Sequence, residues 1–225
     1  MTDTVFFDLD NTIFDFSKAE RIALLRTLDK MGLMPTEGIL SRYSEINASQ
    51  WKRLERGEID RAEVKKGRYR ILFEEFGVDA DPVTAAKTYE GFLGQGHYFI
   101  EGAPELLESL YGRYRLYLVT NGTTCVQKGR IASAGIAKYF EEIFISEEIG
   151  YDKPSARFFE YCFGRIPDFS KDRAVIVGDS LTSDIQGGIN AGIRTIWFNP
   201  KSLVNDTDIR PDLEAGSLSE IPALL

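Results

Sequence analysis

Two aspartates separated by one leucine, Asp8 and Asp10, close the apolar run in "VFFDLDNTIF" at residues 5–14. Side chains of an extended segment repeat every second residue, so this spacing predicts two carboxylates on the same side where a buried strand ends. Like charges held that close resist ionising together unless a cation or a shared proton compensates. The pair therefore asks for a metal, a proton-transfer role, or both. Three further polar sets follow later in the chain: "TNG" at 120–122, Lys153 ahead of "PSARFF", and "GDSLTSD" at 178–184. Each alone reads as a cap, a turn or a surface lysine. In an open parallel sheet, however, ligands bind at the carboxyl ends of the strands, and the joint occurrence of these sets at one sheet edge supplies the parts for phosphoryl transfer. Asp8, Asp179 and Asp184 offer hard oxygen ligands that suit Mg²⁺. Lys153, the Thr120 hydroxyl and the backbone amides after it, at Asn121 and Gly122, can hold phosphoryl oxygens where charge accumulates.

Strands able to present these residues are expected at 4–9, 115–120, 173–178 and 193–198, with a weaker one at 142–146; each is β-branched or aromatic and ends at a polar or glycine position. Helical patterns lie between them at 103–112, 123–135, 153–165 and 183–192. This alternation implies a parallel sheet with right-handed crossovers. From 17 to 97 no convincing strand occurs. "SKAERIALLRTLDKMG" places Ile22, Leu25, Leu28 and Met31 at helical spacing, and the segments 61–77 and 81–94 behave likewise. A lobe of about four helices therefore interrupts the sheet after its first strand, with crossings at 14–17 and 94–102.

The 225 residues and 43% hydrophobic content allow a real core. A net charge of −8 without any lysine- or arginine-rich block argues against a nucleic acid polymer as partner. "MTDTVFF" lacks the basic and apolar regions of a signal peptide and no run is long enough to span a membrane, so a cytoplasmic protein is expected. Cys125 and Cys162 have no ligand spacing and read as packed thiols.

"DLDNT" at 8–12, "VTNG" at 119–122, "DKPS" at 152–155 and "GDSLTSD" at 178–184 resemble, in order, the four motifs of the haloacid dehalogenase superfamily, with the helical insertion where that family carries its type 1 cap. The resemblance implies an α/β, Rossmann-like three-layer core with a parallel sheet, formed by 1–16 and 98–225, and an inserted helical cap at 17–97. It implies Asp8 as nucleophile, forming an aspartyl-phosphate, and Asp10 as acid and base. By the same likeness Asp8, the backbone carbonyl of Asp10, and Asp179 hold Mg²⁺, Asp184 supports the metal site or orients Lys153, and Thr120 and Lys153 steady the phosphoryl group.

Dehalogenases of this superfamily need no proton donor for a halide and lack the second aspartate, so Asp10 argues for a phosphate ester. "FFDLDNTIFDF", "LVTNGTTCVQKGRI" and "GYDKPSARFF" are similar to the housecleaning 5'-nucleotidase branch, whose members act on pyrimidine nucleoside monophosphates. That likeness calls for an aromatic surface against the base, with Phe16 and Tyr98 as leading candidates and Phe14, Tyr43 and Trp51 beside them; cap packing is the competing reading. His97 reads as a polar hinge residue. The alternatives are a sugar phosphatase or phosphomutase, a phosphonatase using Lys18 or Lys30, and a phosphometabolite-binding protein without turnover. The expected partner is a small phosphate ester, and the expected state a monomer or weak homodimer.

Overall fold

The computed structural model describes residues 2–225. The chain forms two compact units, one of Met1–Phe16 with His97–Leu225, the other of Ser17–Gly96. Six strands build the first: β1 (Thr4–Phe7), β2 (Arg115–Thr120), β3 (Glu142–Ile145), β4 (Ala174–Gly178), β5 (Arg194–Phe198) and β6 (Leu213–Ala215). They lie in the order β3-β2-β1-β4-β5-β6, and every neighbouring pair is parallel. The strand order reverses beside β1, which creates a crevice at the carboxyl ends of β1 and its neighbours.

β1 is buried along its whole length, because a parallel sheet carries helices on both faces. Its alternation sorts the core into two layers. Val5 and Phe7 pack with Leu106, Leu107, Leu118, Val175 and Val177, whereas Phe6 packs with Tyr117, Phe158, Phe159 and Ile176.

The Ser17–Gly96 unit consists of helices, with α1 (Phe16–Lys30) leading into α2 (Glu37–Glu55), α3 (Arg61–Phe76) and α4 (Pro82–Leu93). The Thr36, Asp60 and Asp81 side chains each accept from a backbone amide of the first turn of α2, α3 and α4 respectively, which satisfies donors that helix geometry orphans. The core unit then adds α5 (Ala103–Leu110), α6 (Thr124–Ala134), α7 (Ser146–Ile149), α8 (Ala156–Gly164), α9 (Gln186–Ala191) and α10 (Ile221–Leu224). α5, α6 and α10 cover one sheet face; α8 and α9 cover the other. Among the described residues no helix is long and apolar enough to cross a membrane.

Several elements differ from expectation. β1 ends at Phe7 rather than at residue 9, because the chain turns at once: the amides of Ile13 and Phe14 both donate to the Leu9 carbonyl (3.0 and 2.8 Å), and Asn11 is left-handed at φ 63°. Asp8 and Asp10 therefore do not share a regular pleat. The helix expected at 183–192 begins as a wide π turn, Leu181–Ile185, before α9. β6 was not foreseen; three residues, one of them the exposed Glu214, show no readable alternation.

The buried face of α1 is also displaced from the expected stripe. Ala19, Glu20, Ala23, Leu24, Thr27 and Leu28 are buried, while Ile22, Leu25 and Met31 are only partly so. Two buried polar residues disguise this face, and both are satisfied: Thr27 Oγ1 donates to the Ala23 carbonyl, and Glu20 accepts from Ser44 Oγ (2.5 Å) and Asn47 Nδ2 (2.7 Å). Asn47 in turn accepts from buried Arg68 at 2.8 Å, and the Arg68 guanidinium lies 4.7 Å from the Tyr89 ring. Tyr43, Tyr69 and Tyr89 are fully buried with ring centroids 5.1 to 6.1 Å apart, so Tyr43 is interior to this unit.

Burial pushes the Glu20 carboxyl above its usual range, against the opposing pull of the Ser44 and Asn47 hydrogen bonds and Arg68. A carboxyl raised on folding costs stability above its unfolded pKa and nothing well below it. Glu20→Gln should therefore raise Tm at pH 7–8, with the advantage over the parent protein shrinking as pH falls through about 4.5. Parallel thermal melts across that range measure it, and an advantage that grows on acidification would contradict it.

Candidate active site

Parallel registry brings the carboxyl ends of β1, β2 and β4 side by side, since Phe7 pairs with both Leu118 and Val177. Asp8 follows β1, with its amide donating to the Val177 carbonyl at 2.9 Å; Thr120 ends β2, and Asp179 follows β4. Lys153 comes from the segment between α7 and α8, and Asp184 from the π turn.

Lys153 is 1% exposed, and its Nζ donates to Asp8 Oδ1 (2.7 Å), Asp184 Oδ1 (2.7 Å) and the Val119 carbonyl (2.8 Å). An ammonium has three protons, and all three are used. Asn121 fixes the backbone that carries it, accepting from Lys153 N and donating to Lys153 O, each at 2.8 Å. Asp184 is drawn in by the Ser180 amide at 3.1 Å and by the bareness of Gly178, where a Cβ would stand 2.3 Å from Asp184 Oδ2.

Asp8, Asp179 and Asp184 each offer one carboxylate oxygen, and these atoms lie within 4.8 Å of one another. Burial raises the Asp8 carboxyl to about 7; Lys153 opposes this, and the Asp184 and Asp10 charges reinforce it. Asp179 is likewise pushed well above the ordinary range by burial and then by Asp8 and Asp184. Burial works against the Lys153 charge, but Asp184 and Asp8 outweigh it and hold the ammonium above the usual lysine range. With one cation opposing three crowded carboxylates, the all-oxygen donor set fits a hard divalent cation.

The Asp10 carboxylate stands outside this cluster. It is ion-paired to Arg130 Nη1 and accepts from Gln127 Nε2 at 2.8 Å. The same Nε2 donates to Thr120 Oγ1 at 2.8 Å. Gly122 makes room for this arrangement, since a Cβ there would lie 2.5 Å from Gln127 Nε2. Arg130 and Gln127 were not anticipated. They sit three apart on α6, a spacing that shares one helix face, but in sequence a helical Gln and Arg read as solvated residues.

The aromatic candidates divide. Phe16 is partly buried, its ring centroid 5.9 Å from the Arg130 guanidinium, and Tyr98 is partly buried with its carbonyl accepting from Asp15 N at 2.7 Å. Phe14 is fully buried against Phe99, and Trp51 lies under the Arg61 guanidinium at 5.4 Å. His97 Nδ1 meets Ser133 Oγ at 2.6 Å. Cys162 is buried in the core, whereas Cys125 is exposed at the start of α6 and is not a packed thiol. Lys18 and Lys30 are both exposed, without the desolvation a Schiff-base lysine requires.

The chain and its fold have counterparts among known proteins. Residues 5–198 match the haloacid dehalogenase-like hydrolase family. The pyrimidine 5'-nucleotidase PynA of Streptococcus pneumoniae is 42% identical over 96% of this chain and 91% of its own length. The pyrimidine 5'-nucleotidase YjjG of Escherichia coli is 30% identical over 99% of this chain and 97% of its own. The crystal structure of the magnesium-bound HAD-hydrolase YfnB of Bacillus subtilis superposes with a TM-score of 0.95 at 38% identity, covering 100% of this chain and 98% of that one. The chain belongs to the haloacid dehalogenase-like hydrolases.

Removing the Lys153 charge leaves Asp8 and Asp184 buried without compensation. Lys153→Met should cost about 3–5 kcal/mol in urea unfolding of the metal-free protein. The loss should be larger at pH 8 than at pH 5, because buried carboxylates escape the penalty only by taking up protons as pH falls. Unchanged stability at pH 8 would show that the ammonium does not hold the cluster.

Proposed function

We propose that the protein is a magnesium-dependent phosphatase that hydrolyses a small phosphate monoester, a pyrimidine nucleoside 5'-monophosphate foremost, through an aspartyl-phosphate. The observation that carries the reading is the division of labour between two carboxylates two residues apart: Asp8 lies against Lys153 beside Asp179 and Asp184, while Asp10 is held separately by Arg130 and Gln127.

In this mechanism an Asp8 carboxylate oxygen attacks phosphorus and the bond to the ester oxygen breaks. Protonated Asp10 gives its proton to the departing alcohol, which a nucleoside needs because an alkoxide leaves poorly. Water then attacks the phosphorus, Asp10 takes its proton, and the bond to Asp8 breaks, releasing inorganic phosphate and restoring the Asp8 carboxylate and the protonated Asp10. Lys153, its three protons given to Asp8, Asp184 and the Val119 carbonyl, holds Asp8 in place and supplies positive charge beside the phosphoryl group, whose oxygens the Thr120 hydroxyl and the amides of Asn121 and Gly122 would bind. Asp8, Asp179, Asp184 and the main-chain carbonyl of Asp10 would hold Mg²⁺, which supplies charge neutralisation for the carboxylates and the phosphoryl group. The magnesium in the YfnB structure supports the choice of ion, and the two nucleotidase relatives support the choice of ester.

Asp8→Asn keeps the shape of the site and removes the nucleophile. Phosphate release should fall by more than about 10⁴-fold while the thermal transition persists. Near-normal release would sink the covalent mechanism.

Chelation should abolish activity, Mg²⁺ should restore it, and Ca²⁺ should restore it poorly because its larger, more flexible shell misplaces the attacking oxygen. Full turnover in excess EDTA would remove the metal from the mechanism.

Screening phosphate release over nucleoside monophosphates, hexose phosphates and phosphonates tests the substrate. Uridine or thymidine 5'-monophosphate should give the highest kcat/KM. Phe16→Ala or Tyr98→Ala should cost the nucleotide about 1–3 kcal/mol of transition-state stabilisation where the ring stacks on the base, and p-nitrophenyl phosphate less. A parent enzyme that prefers a hexose phosphate would leave only the broader phosphatase assignment.

A further inference from the structure

Asp10 is gripped on both oxygens by one helix. Arg130 Nη1 is ion-paired to Oδ1 and also donates to Gln127 Oε1 at 3.1 Å; Gln127 Nε2 donates to Oδ2 at 2.8 Å. The Gln127 amide thus crosslinks the clamp internally. Through its second contact, to Thr120 Oγ1 at 2.8 Å, it also sets the separation between Asp10 and the hydroxyl that ends β2. Arg130 is fully buried, with Phe14 and Phe16 ring centroids 5.1 and 5.9 Å from its guanidinium, so the charge has little freedom to turn elsewhere.

The local chain is shaped around this contact. Gly122 vacates the space that Gln127 fills, and the Thr124 amide at the start of α6 is tied to Glu147 Oε2 at 2.6 Å. Stability alone is a weak reason to build such a pair, because well-packed apolar side chains of similar volume often serve as well as a buried ion pair. A proton carrier has a stricter need, since it must meet first the leaving oxygen and then water at hydrogen-bond distance.

We propose that Arg130 and Gln127 are positioning residues of the reaction: they aim the Asp10 carboxylate at the proton-transfer path, Arg130 acting through Asp10 and Gln127 through Asp10 and, to a smaller extent, through the Thr120 hydroxyl it also holds. The proposal rests on the reading of Asp10 as acid and base.

The test is a double-mutant cycle. Arg130→Met, Gln127→Met and Arg130→Lys are each made alone and in the Asp10→Asn background, with folding checked by thermal melts. Single-turnover phosphorylation is measured with uridine 5'-monophosphate and with p-nitrophenyl phosphate. Each methionine variant should lower the nucleotide rate by about 10²-fold, the scale of a misplacement of about 1 Å. The loss should be smaller for the aryl ester, whose phenolate needs less protonation, and Arg130→Lys should recover part of it. In the Asp10→Asn background Arg130→Met should lower the rate little further, because the group it acts through is gone, and Gln127→Met should lose only the smaller part owed to its bond with Thr120, equally for both esters.

An equal fold-loss in both backgrounds would overturn the proposal, as expected if Arg130 touched the substrate directly, and so would a normal nucleotide rate for Gln127→Met. Asp10→Asn alone tests the underlying reading: full activity there removes the proton carrier and the clamp with it, whereas a crippled Asp10→Asn with additive clamp variants removes the clamp only. Gln127→Met keeps side-chain volume and carries the test should Arg130→Met fail to fold.

Discussion

A single buried ammonium organises the carboxyl-end edge of the sheet. Lys153 has given up water entirely, and burial would strip its proton were it not for Asp8 and Asp184, each 2.7 Å away. Those carboxylates are equally dependent on it, because burial and mutual repulsion already lift Asp8 toward neutrality at physiological pH. Around this triad every nearby choice is constrained. Asn121 spends its side-chain amide on the Lys153 backbone, Val119 lends a carbonyl to the third proton, and Gly178 forgoes a side chain so that Asp184 can come close. Once Asp179 is counted, one positive charge faces three carboxylates and the cluster is two positive charges short, a donor set that fits a hard divalent cation.

The sheet contributes direction more than chemistry. Parallel pairing stacks the ends of β1, β2 and β4, so residues more than a hundred positions apart arrive at one edge without any long loop having to be ordered. The turn that follows β1 then separates two neighbouring carboxylates. Had the strand continued to Asp10, both would have faced one way and competed for the same lysine. Instead the left-handed Asn11 and the paired amides on the Leu9 carbonyl swing Asp10 to α6, where a different cation waits. Two acids of the same type acquire different environments over two residues, and differing environments are what allow differing roles.

The helical unit follows other rules. Its interior holds Glu20, Asn47, Arg68 and three tyrosines, and α2, α3 and α4 start on side-chain caps, with α3 closing on Gly77. Glu20, Asn47 and Arg68 are joined by directional hydrogen bonds, which ties α1, α2 and α3 to one packing.

Read alone, the sequence determined the class of fold, the interruption of the sheet by a helical segment after the first strand, and the set Asp8, Asp10, Thr120, Lys153, Asp179 and Asp184. These are legible because buried parallel strands are short apolar runs and because residues at their ends follow directly in the chain. Tertiary structure decided what has no local signal. The end of β1 depends on hydrogen bonds reaching back to Leu9, the buried face of α1 on partners for Glu20 and Thr27 in other turns and helices, and β6 on an edge waiting for it at β5. Above all, Arg130 and Gln127 look like solvated residues until α6 is laid beside the strand ends; only then does a distance of 2.8 Å between Gln127 and Asp10, residues 117 positions apart, come into existence. Side chains whose role is to hold another side chain carry no pattern of their own, because the constraint lies in three-dimensional proximity and not in spacing along the chain.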